Sequence, residues 1–269
     1  YGGATAISGG AVWVPDNYLM AEIGVSDSLA EGLTYLEAAT AGSSTPERLR
    51  AYLEAAPAML RSLATTSHVV FQPVPAYPDY YPEAAGGKAG GRTIEPVLFN
   101  AMKLGDELKN LRSGLHNRRF RFLTLMARDM GMLIAGGLPL YRKVVGDWIL
   151  YYGNLRARFR RHGNTRLTVG RSLIARLRMS LLERNVPLLL DTALVELIEE
   201  DGRVVGLLAE RDGHPLKIRA EKGVLLAAGG FERNAGLRQA HQAAQLDDLA
   251  RLVALGLRRV GRAGVQRHV

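Results

Sequence analysis

Two Asp-Gly dipeptides, Asp201-Gly202 and Asp212-Gly213, constrain this chain more than anything else in it. Asp-Gly between alternating apolar runs is a strong hairpin signal, because a two-residue type I′ turn needs positive φ at both central positions. Leu194–Glu199 alternates toward the first turn, Val204–Glu210 returns from it, and Leu216–Arg219 follows the second. The pattern predicts a three-stranded antiparallel meander. Directly after it, Lys222-Gly-Val-Leu-Leu-Ala-Ala228 is a continuous apolar run of the buried parallel-strand type. The run ends in Gly229-Gly230, which puts open backbone at a strand's carboxyl end, where open α/β sheets bind ligands. The expected class is α/β.

The opening residues carry a second glycine signal. Gly2-Gly3 and Gly9-Gly10 bracket Ala4, Thr5 and Ser8. Glycine admits positive φ and lets a backbone approach a ligand closely. Successive free N–H groups, with the Thr5 and Ser8 hydroxyls, then make an anion cradle. The plain alternative is a flexible glycine-rich terminus.

Between these ends the periodicity predicts helices over Asp27–Ala41, capped by Ser26 or Asp27, and from Thr45-Pro46 to about Leu63. Pro57 is expected to kink the second. His68–Phe71 is a short strand candidate. Val74-Pro-Ala-Tyr-Pro-Asp-Tyr-Tyr-Pro-Glu83 holds three prolines and three tyrosines in ten residues, so it is extended and rigid and projects phenols. Gly86-Gly87-Lys88-Ala89-Gly90-Gly91-Arg92 is a further glycine-rich turn. Residues 118–135 and 139–160 read as helices, Gly170–Arg184 as a strongly amphipathic helix, and Val186–Leu190 as a short buried strand.

The chain has no cysteine, so disulfides, thiolate metal sites and thiol nucleophiles are excluded. The histidines are scattered without metal-ligand spacing. The net charge of +9 is concentrated. Lys103–Arg166 holds fourteen Lys and Arg against Asp106, Glu107, Asp129 and Asp147. A pair of helices with solvated basic faces accounts for this. The sharper reading is a surface for peripheral contact with an anionic membrane. No apolar run is long enough to span a bilayer and no recognised nucleic-acid motif appears, so the expected location is cytoplasmic, with membrane association as the variant, and no nucleic-acid partner is expected.

Taken together, these motifs resemble the flavoprotein family that contains fumarate reductases and 3-oxosteroid dehydrogenases. Tyr1-Gly-Gly-Ala-Thr-Ala-Ile-Ser-Gly-Gly10 resembles the family loop after the second strand of the FAD domain. Leu225-Leu-Ala-Ala-Gly-Gly-Phe-Glu-Arg-Asn234 resembles the later strand and turn that return to the flavin. The meander around Glu200–Gly206 and the Gly170-Arg-Ser-Leu-Ile helix start fit the same order. Tyr77-Pro-Asp-Tyr-Tyr-Pro-Glu83 is most similar to the 3-oxosteroid Δ1-dehydrogenases. The resemblance spans roughly residues 1–241.

That resemblance implies FAD as cofactor and a hydrophobic, steroid-like substrate. It implies cofactor contacts from Gly2, Gly3, Ala4, Thr5, Ser8, Gly9, Gly10, Leu194, Ala228, Gly229 and Gly230, and an active-site role for Tyr80. The family reaction removes two hydrogens from ring A: a hydride leaves C1 for the flavin and a tyrosine base takes the C2 proton. Donors at the 3-keto oxygen stabilise the enolate. Tyr80 is expected to assist the base and not to be it. The simple alternative for Tyr80 is an aromatic plug in a proline-rich loop.

The sequence departs from the family pattern at both ends. The Gly-x-Gly-x-x-Gly turn and its flanking strands do not occur before Tyr1, and nothing after Asn234 resembles the catalytic domain. The expected fold is therefore an incomplete Rossmann-like FAD-binding domain over 1–241, with the meander and an inserted basic helical segment at about 99–166. Residues 242–269 form an atypical tail whose arginine-rich texture suggests out-of-frame translation. The expectation for such a piece is weak or no FAD binding and no turnover. A reductase of unsaturated acids, like the fumarate reductases, and a non-enzymatic basic protein binding membrane or nucleic acid are the other readings.

Overall fold

The computed structural model describes residues 1–114, 123–154, 165–230 and 234–240. The chain divides into two units, Tyr1–Leu190 and Asp191–Val269.

In the first unit, helix α1 (Leu29–Thr40) starts where Ser28 accepts the Glu31 N–H at 3.2 Å and Glu31 reaches back to the serine hydroxyl. Ser28 is thus the N-cap, its hydroxyl accepting from the Glu31 N–H and donating to the Glu31 carboxylate. The predicted caps, Ser26 and Asp27, are not used; Ser28 supplies the oxygen. Ala41 at φ 46° ends the helix in the left-handed region. Helix α2 (Pro46–Thr66) begins with proline at its first position and runs on through Pro57, so the proline does not end it. It buries Leu49, Leu53, Ala56 and Leu60 at helical spacing.

A small sheet orders β1 (Val12–Trp13), β3 (Thr93–Pro96) and β2 (Phe71–Pro73), both pairings antiparallel. The strand expected at His68 therefore starts three residues later. Helix α5 (Val169–Glu183) joins two cores. Leu173 and Leu177 pack with α2 and the sheet around Val14, Leu60 and Ile94, while Ala175, Ile174 and Met179 pack around Phe99, Leu104 and Leu167. The second core includes a two-stranded pairing of β4 (Phe99–Asn100) with β5 (Arg166–Leu167).

The basic stretch is built differently from the expected long helices. Residues 123–126 are not helical, a 3-10 turn covers Ala127–Asp129, and α3 (Met130–Ala135) is short. Gly136 at φ 64° separates it from α4 (Gly137–Gly153). Residues 118–122 and 155–160 of the predicted helices lie outside the described residues. Part of the charge is neutralised internally. Lys143 bridges the buried Asp129 and Asp147 at 3.3 and 3.4 Å, and Arg166 pairs with Asp147 at 2.5 Å. Glu95 on β3, wholly buried, accepts from Gln72 and from the Ala127 N–H. A buried carboxylate needs such donors to offset its desolvation.

In the second unit the meander forms as read: β6 (Thr192–Glu200), β7 (Arg203–Arg211) and β8 (His214–Arg219), all antiparallel. Asp201 and Gly202 sit at φ 51° and 73°, Asp212 and Gly213 at 52° and 76°, as two-residue type I′ turns require. Two expectations fail. Val186–Leu190, at the end of the first unit, and Lys222–Ala228, in the second, are not strands, and both are largely exposed; Leu225 is 91% accessible. A strand needs neighbours for its N–H and C=O groups. No sheet among the described residues includes either run, and Pro187 lacks an N–H to offer a ladder. Every strand pairing there is antiparallel, so the expected parallel sheet is not seen among the described residues. Residues 241–269, including the predicted tail, lie outside the described residues.

Candidate functional site

The opening loop folds on its own backbone. Ala6 donates to the Gly2 carbonyl at 2.9 Å, and a short 3-10 turn spans Thr5–Ile7. Gly2, Gly3 and Gly10 take φ of 117°, 49° and 64°. The Ser8 hydroxyl donates to the Thr5 carbonyl at 2.8 Å and accepts the Gly10 N–H at 3.1 Å. That hydroxyl thus closes the loop, and its proton is already committed.

The loop is seated on the first turn of α5. The Gly170 N–H donates to the Ser8 carbonyl at 3.2 Å. A β-carbon on Gly10 would lie 2.5 Å from Gly170 N. Val169, a β-branched residue, is held there at φ 48°, an unfavourable conformation of the kind that persists where surrounding structure enforces it.

Gly3 and Gly9 differ from Gly10. A β-carbon on either would meet nothing within 4 Å. Gly3, Ala4, Thr5, Ser8 and Gly9 are exposed, whereas Ala6 and Gly10 are buried. No acceptor among the described residues takes the N–H of Gly3, Ala4, Thr5 or Gly9. The loop therefore presents a cluster of uncharged donors beside glycines with open faces. Such a set fits a phosphate or the heteroatoms of a nucleotide cofactor.

The loop continues into β1, and β1 leads to Tyr80. Trp13 Nε1 donates to Asp79 Oδ1 at 2.7 Å. Asp79 is buried and also accepts from Arg92 Nη1 and the Lys88 N–H at 2.8 and 2.9 Å. The side chain of Arg92 is inaccessible, and its Nε and Nη2 form a fork with Asp27 at 2.7 and 2.8 Å. The guanidinium carbon lies 5.7 Å from the Trp13 ring centre and 5.4 Å from that of Tyr35. Burial alone pushes the Asp27 carboxyl up. The Arg92 and Asp16 hydrogen bonds, with the Arg92 charge, more than reverse this and hold it below the usual range.

Tyr80 itself stands 91% exposed. The proline-rich and glycine-rich segments around it form one loop whose ends meet, Val74 donating to Thr93 and Gly91 to Val74. Gly90 makes the return possible: a β-carbon there would lie 1.8 Å from the Pro75 carbonyl oxygen. Tyr81 donates its N–H to the Tyr35 hydroxyl at 3.2 Å.

The remaining expected contacts belong to the second unit. Leu194 lies on β6 and is half exposed, and Ala228, Gly229 and Gly230 are exposed, Gly229 at φ 80° with open space where a side chain would stand. Sequence reading missed Trp13, Tyr35, Asp27 and Arg92. Their association joins residues up to 79 positions apart, and the only local hint was a charge at the exit of a glycine turn.

This architecture of mixed helix and sheet, with glycine loops presenting donors, is that of a flavin-binding domain. The chain belongs to the FAD-binding-domain family, whose model matches residues 1–254, and FAD is the cofactor of that family. It is 39% identical over 252 residues to 3-oxosteroid 1-dehydrogenase of Mycolicibacterium smegmatis, covering 91% of this chain and 43% of that protein. The crystal structure of 3-ketosteroid Δ1-dehydrogenase from Sterolibacterium denitrificans, in complex with 1,4-androstadiene-3,17-dione, superposes with a TM-score of 0.83 at 40% identity, over 89% of this chain and 43% of that one. A 4-oxocyclohexanecarboxylate 2-dehydrogenase of Sinomonas cyclohexanicum is 28% identical over 91% of this chain and 40% of its own length. The chain thus spans less than half the length of the relatives it matches.

Proposed function

We propose that this chain is the FAD-binding part of a 3-oxosteroid Δ1-dehydrogenase. The observation that carries the reading is Tyr80: a phenol left exposed on a loop whose flanking residues are anchored to buried groups. The resemblance to the Δ1-dehydrogenases rests on that same segment. The names of the relatives add a common theme, a cyclic ketone dehydrogenated at the carbon two positions from its oxo group.

On this reading, the Gly3, Ala4, Thr5 and Gly9 amides hold the cofactor, with Gly2, Ser8 and Gly10 shaping the loop. In the second unit, Leu194 and the backbone of Ala228, Gly229 and Gly230 are the further cofactor contacts that the resemblance implies. FAD, when bound, supplies the two-electron acceptor. Tyr80 donates a hydrogen bond to the phenolate that forms on the proton-abstracting tyrosine. Such a bond favours the charged form and brings a phenol nearer to the range where it works as a base. The finer description of the fold as an incomplete Rossmann-like domain over 1–241, carrying an inserted basic segment and followed by an atypical tail, belongs to the same proposal.

Two measurements test it. Titration of FAD against the chain, followed by flavin fluorescence, is expected to show weak, saturable binding that Gly9→Val abolishes without loss of fold. Equal binding by the variant would remove the opening loop from the site. Residues 1–240 grafted in place of the matching segment of the Mycolicibacterium smegmatis relative should give a steroid-oxidising chimera that Tyr80→Phe slows. A folded, flavin-loaded chimera unaffected by that substitution would count against the role of Tyr80.

A second reading concerns the basic segment. Leu138, Tyr141, Trp148, Ile149 and Leu150 of α4 are all more than half exposed. Leu138, Tyr141, Trp148 and Ile149 share one side of the helix, and we propose that this side touches an anionic bilayer, as aromatic and aliphatic side chains beside cations do. No helix among the described residues is long and apolar enough to cross a membrane. Flotation with anionic vesicles at low salt, lost at high salt and in Trp148→Glu, is expected. No binding at low salt would reject it.

A further inference from the structure

We infer that Arg92 is a positioning residue for Tyr80, acting through Asp79. The inference rests on the reading of Tyr80 as an active-site group.

The argument starts from the backbone on either side of that tyrosine. Before it, the Asp79 carboxylate accepts three hydrogen bonds, from Trp13, Arg92 and the Lys88 N–H, and its own N–H donates to the Lys88 carbonyl at 3.0 Å. After it, the Tyr81 N–H is held by the Tyr35 hydroxyl. Position 80 is therefore fixed at both ends while its ring is left outside. Arg92 is the group that ties these restraints to the rest of the unit. Its fork engages Asp27, immediately ahead of α1, and its remaining edge engages Asp79. It also lies beside the rings of Trp13 and Tyr35, which are 5.6 Å apart at their centres and which themselves hold Asp79 and Tyr81. Lys88 completes the cluster, 2.8 Å from Glu31 and 3.9 Å from Asp27.

A guanidinium is required here and an ammonium is not equivalent. Only a planar fork serves one carboxylate with two parallel donors and a second carboxylate from its other edge. Lysine keeps the charge but can reach only one of the two. The expected effect of Arg92→Lys is a looser Asp79 and a Tyr80 phenol that samples many positions, with the cores of the unit intact. Misplacement of a catalytic neighbour by about 1 Å can cost on the order of a hundredfold in rate.

Hydrogen exchange on the purified chain provides a test that needs no turnover. In Arg92→Lys, peptides covering residues 78–88 are expected to exchange at least tenfold faster, with α2 unchanged. Unchanged exchange in the loop would overturn the inference, as would equal acceleration in α2, since Arg92 would then hold the whole unit and not the loop. A second arm uses steroid turnover in the chimera described above. Arg92→Lys should lower kcat at least tenfold with KM within twofold, and should add little in the Tyr80→Phe background. An equal effect in both backgrounds would mean that Arg92 does not act through Tyr80. If the parent chimera binds flavin but does not oxidise steroid, the reading of Tyr80 fails, and hydrogen exchange still decides whether Arg92 orders the loop.

Discussion

The carbonyl oxygen of Thr5 lies 1.7 Å from where a β-carbon on Gly170 would stand. The opening loop and the first turn of α5 are thus in backbone contact, and the glycine is there for space. Gly→Ala inside a helix ordinarily stabilises by about 0.5–1 kcal/mol. Gly170→Ala is expected to do the opposite and cost about 1–3 kcal/mol, because backbone must move to admit the methyl group. A shift of the urea midpoint to lower concentration checks this. A variant as stable as the parent would contradict the contact.

Asp27 gives the first unit an acid limit. Its folded value lies below the ordinary 3.8, so its contribution to stability is complete above the unfolded value. That contribution is lost as pH falls through the folded value, that is, below about 4. Asp27→Asn should make the loss of stability on acidification shallower. At neutral pH the same change should cost about 3–5 kcal/mol, because it leaves the buried Arg92 with part of its charge unpaired. Urea melts between pH 3 and 6 provide the measurement. An unchanged acid slope would assign the titration to other carboxylates, such as Glu107, which its hydrogen bond from Arg178 holds low against a smaller opposing effect of burial.

What the sequence made legible was local. Asp201-Gly202 and Asp212-Gly213 set positive φ within two residues, so the meander follows from short-range geometry. The α2 start at Thr45-Pro46 and the amphipathic α5 are short-range too. The apolar runs Val186–Leu190 and Lys222–Ala228 were misread because a strand is defined by its neighbours, and composition does not say whether neighbours are present. Asp27 looked like a helix cap for a similar reason. Its partner Arg92 is 65 residues away, and one position further on Ser28 satisfies the helix N–H group. The site divided in the same way. The glycines were evident, while the buried ion cluster behind Tyr80 was visible only after folding.

That cluster has an optical reporter. The chain has two tryptophans. Trp148 is 51% exposed on α4, whereas Trp13 is partly buried and gives its N–H to Asp79. Iodide should quench Trp148 readily and Trp13 weakly. In Trp148→Phe the remaining emission comes from Trp13, and adding Asp79→Asn should shift it to longer wavelength and open it to iodide. Emission that does not respond to Asp79→Asn would show that the Trp13–Asp79 bond does not hold in solution.

Gly206 offers a separate test in the second unit. It lies on β7 opposite Arg219, and a β-carbon there would come within 2.4 Å of the Ile218 carbonyl oxygen. Elsewhere in a strand, valine in place of glycine is favourable, since the branched side chain suits a pleated surface. At this position it must push β8 away from β7, at a cost of about 1–3 kcal/mol. The Asp201-Gly202 turn is set by its own φ angles and does not depend on β8. Gly206→Val should therefore strip hydrogen-exchange protection from Leu216–Arg219 first, with the residues around the Asp201-Gly202 turn less affected. Uniform loss across all three strands would show that the meander unfolds as one unit, and unchanged protection would show that β8 does not pack on Gly206 as closely as 2.4 Å requires.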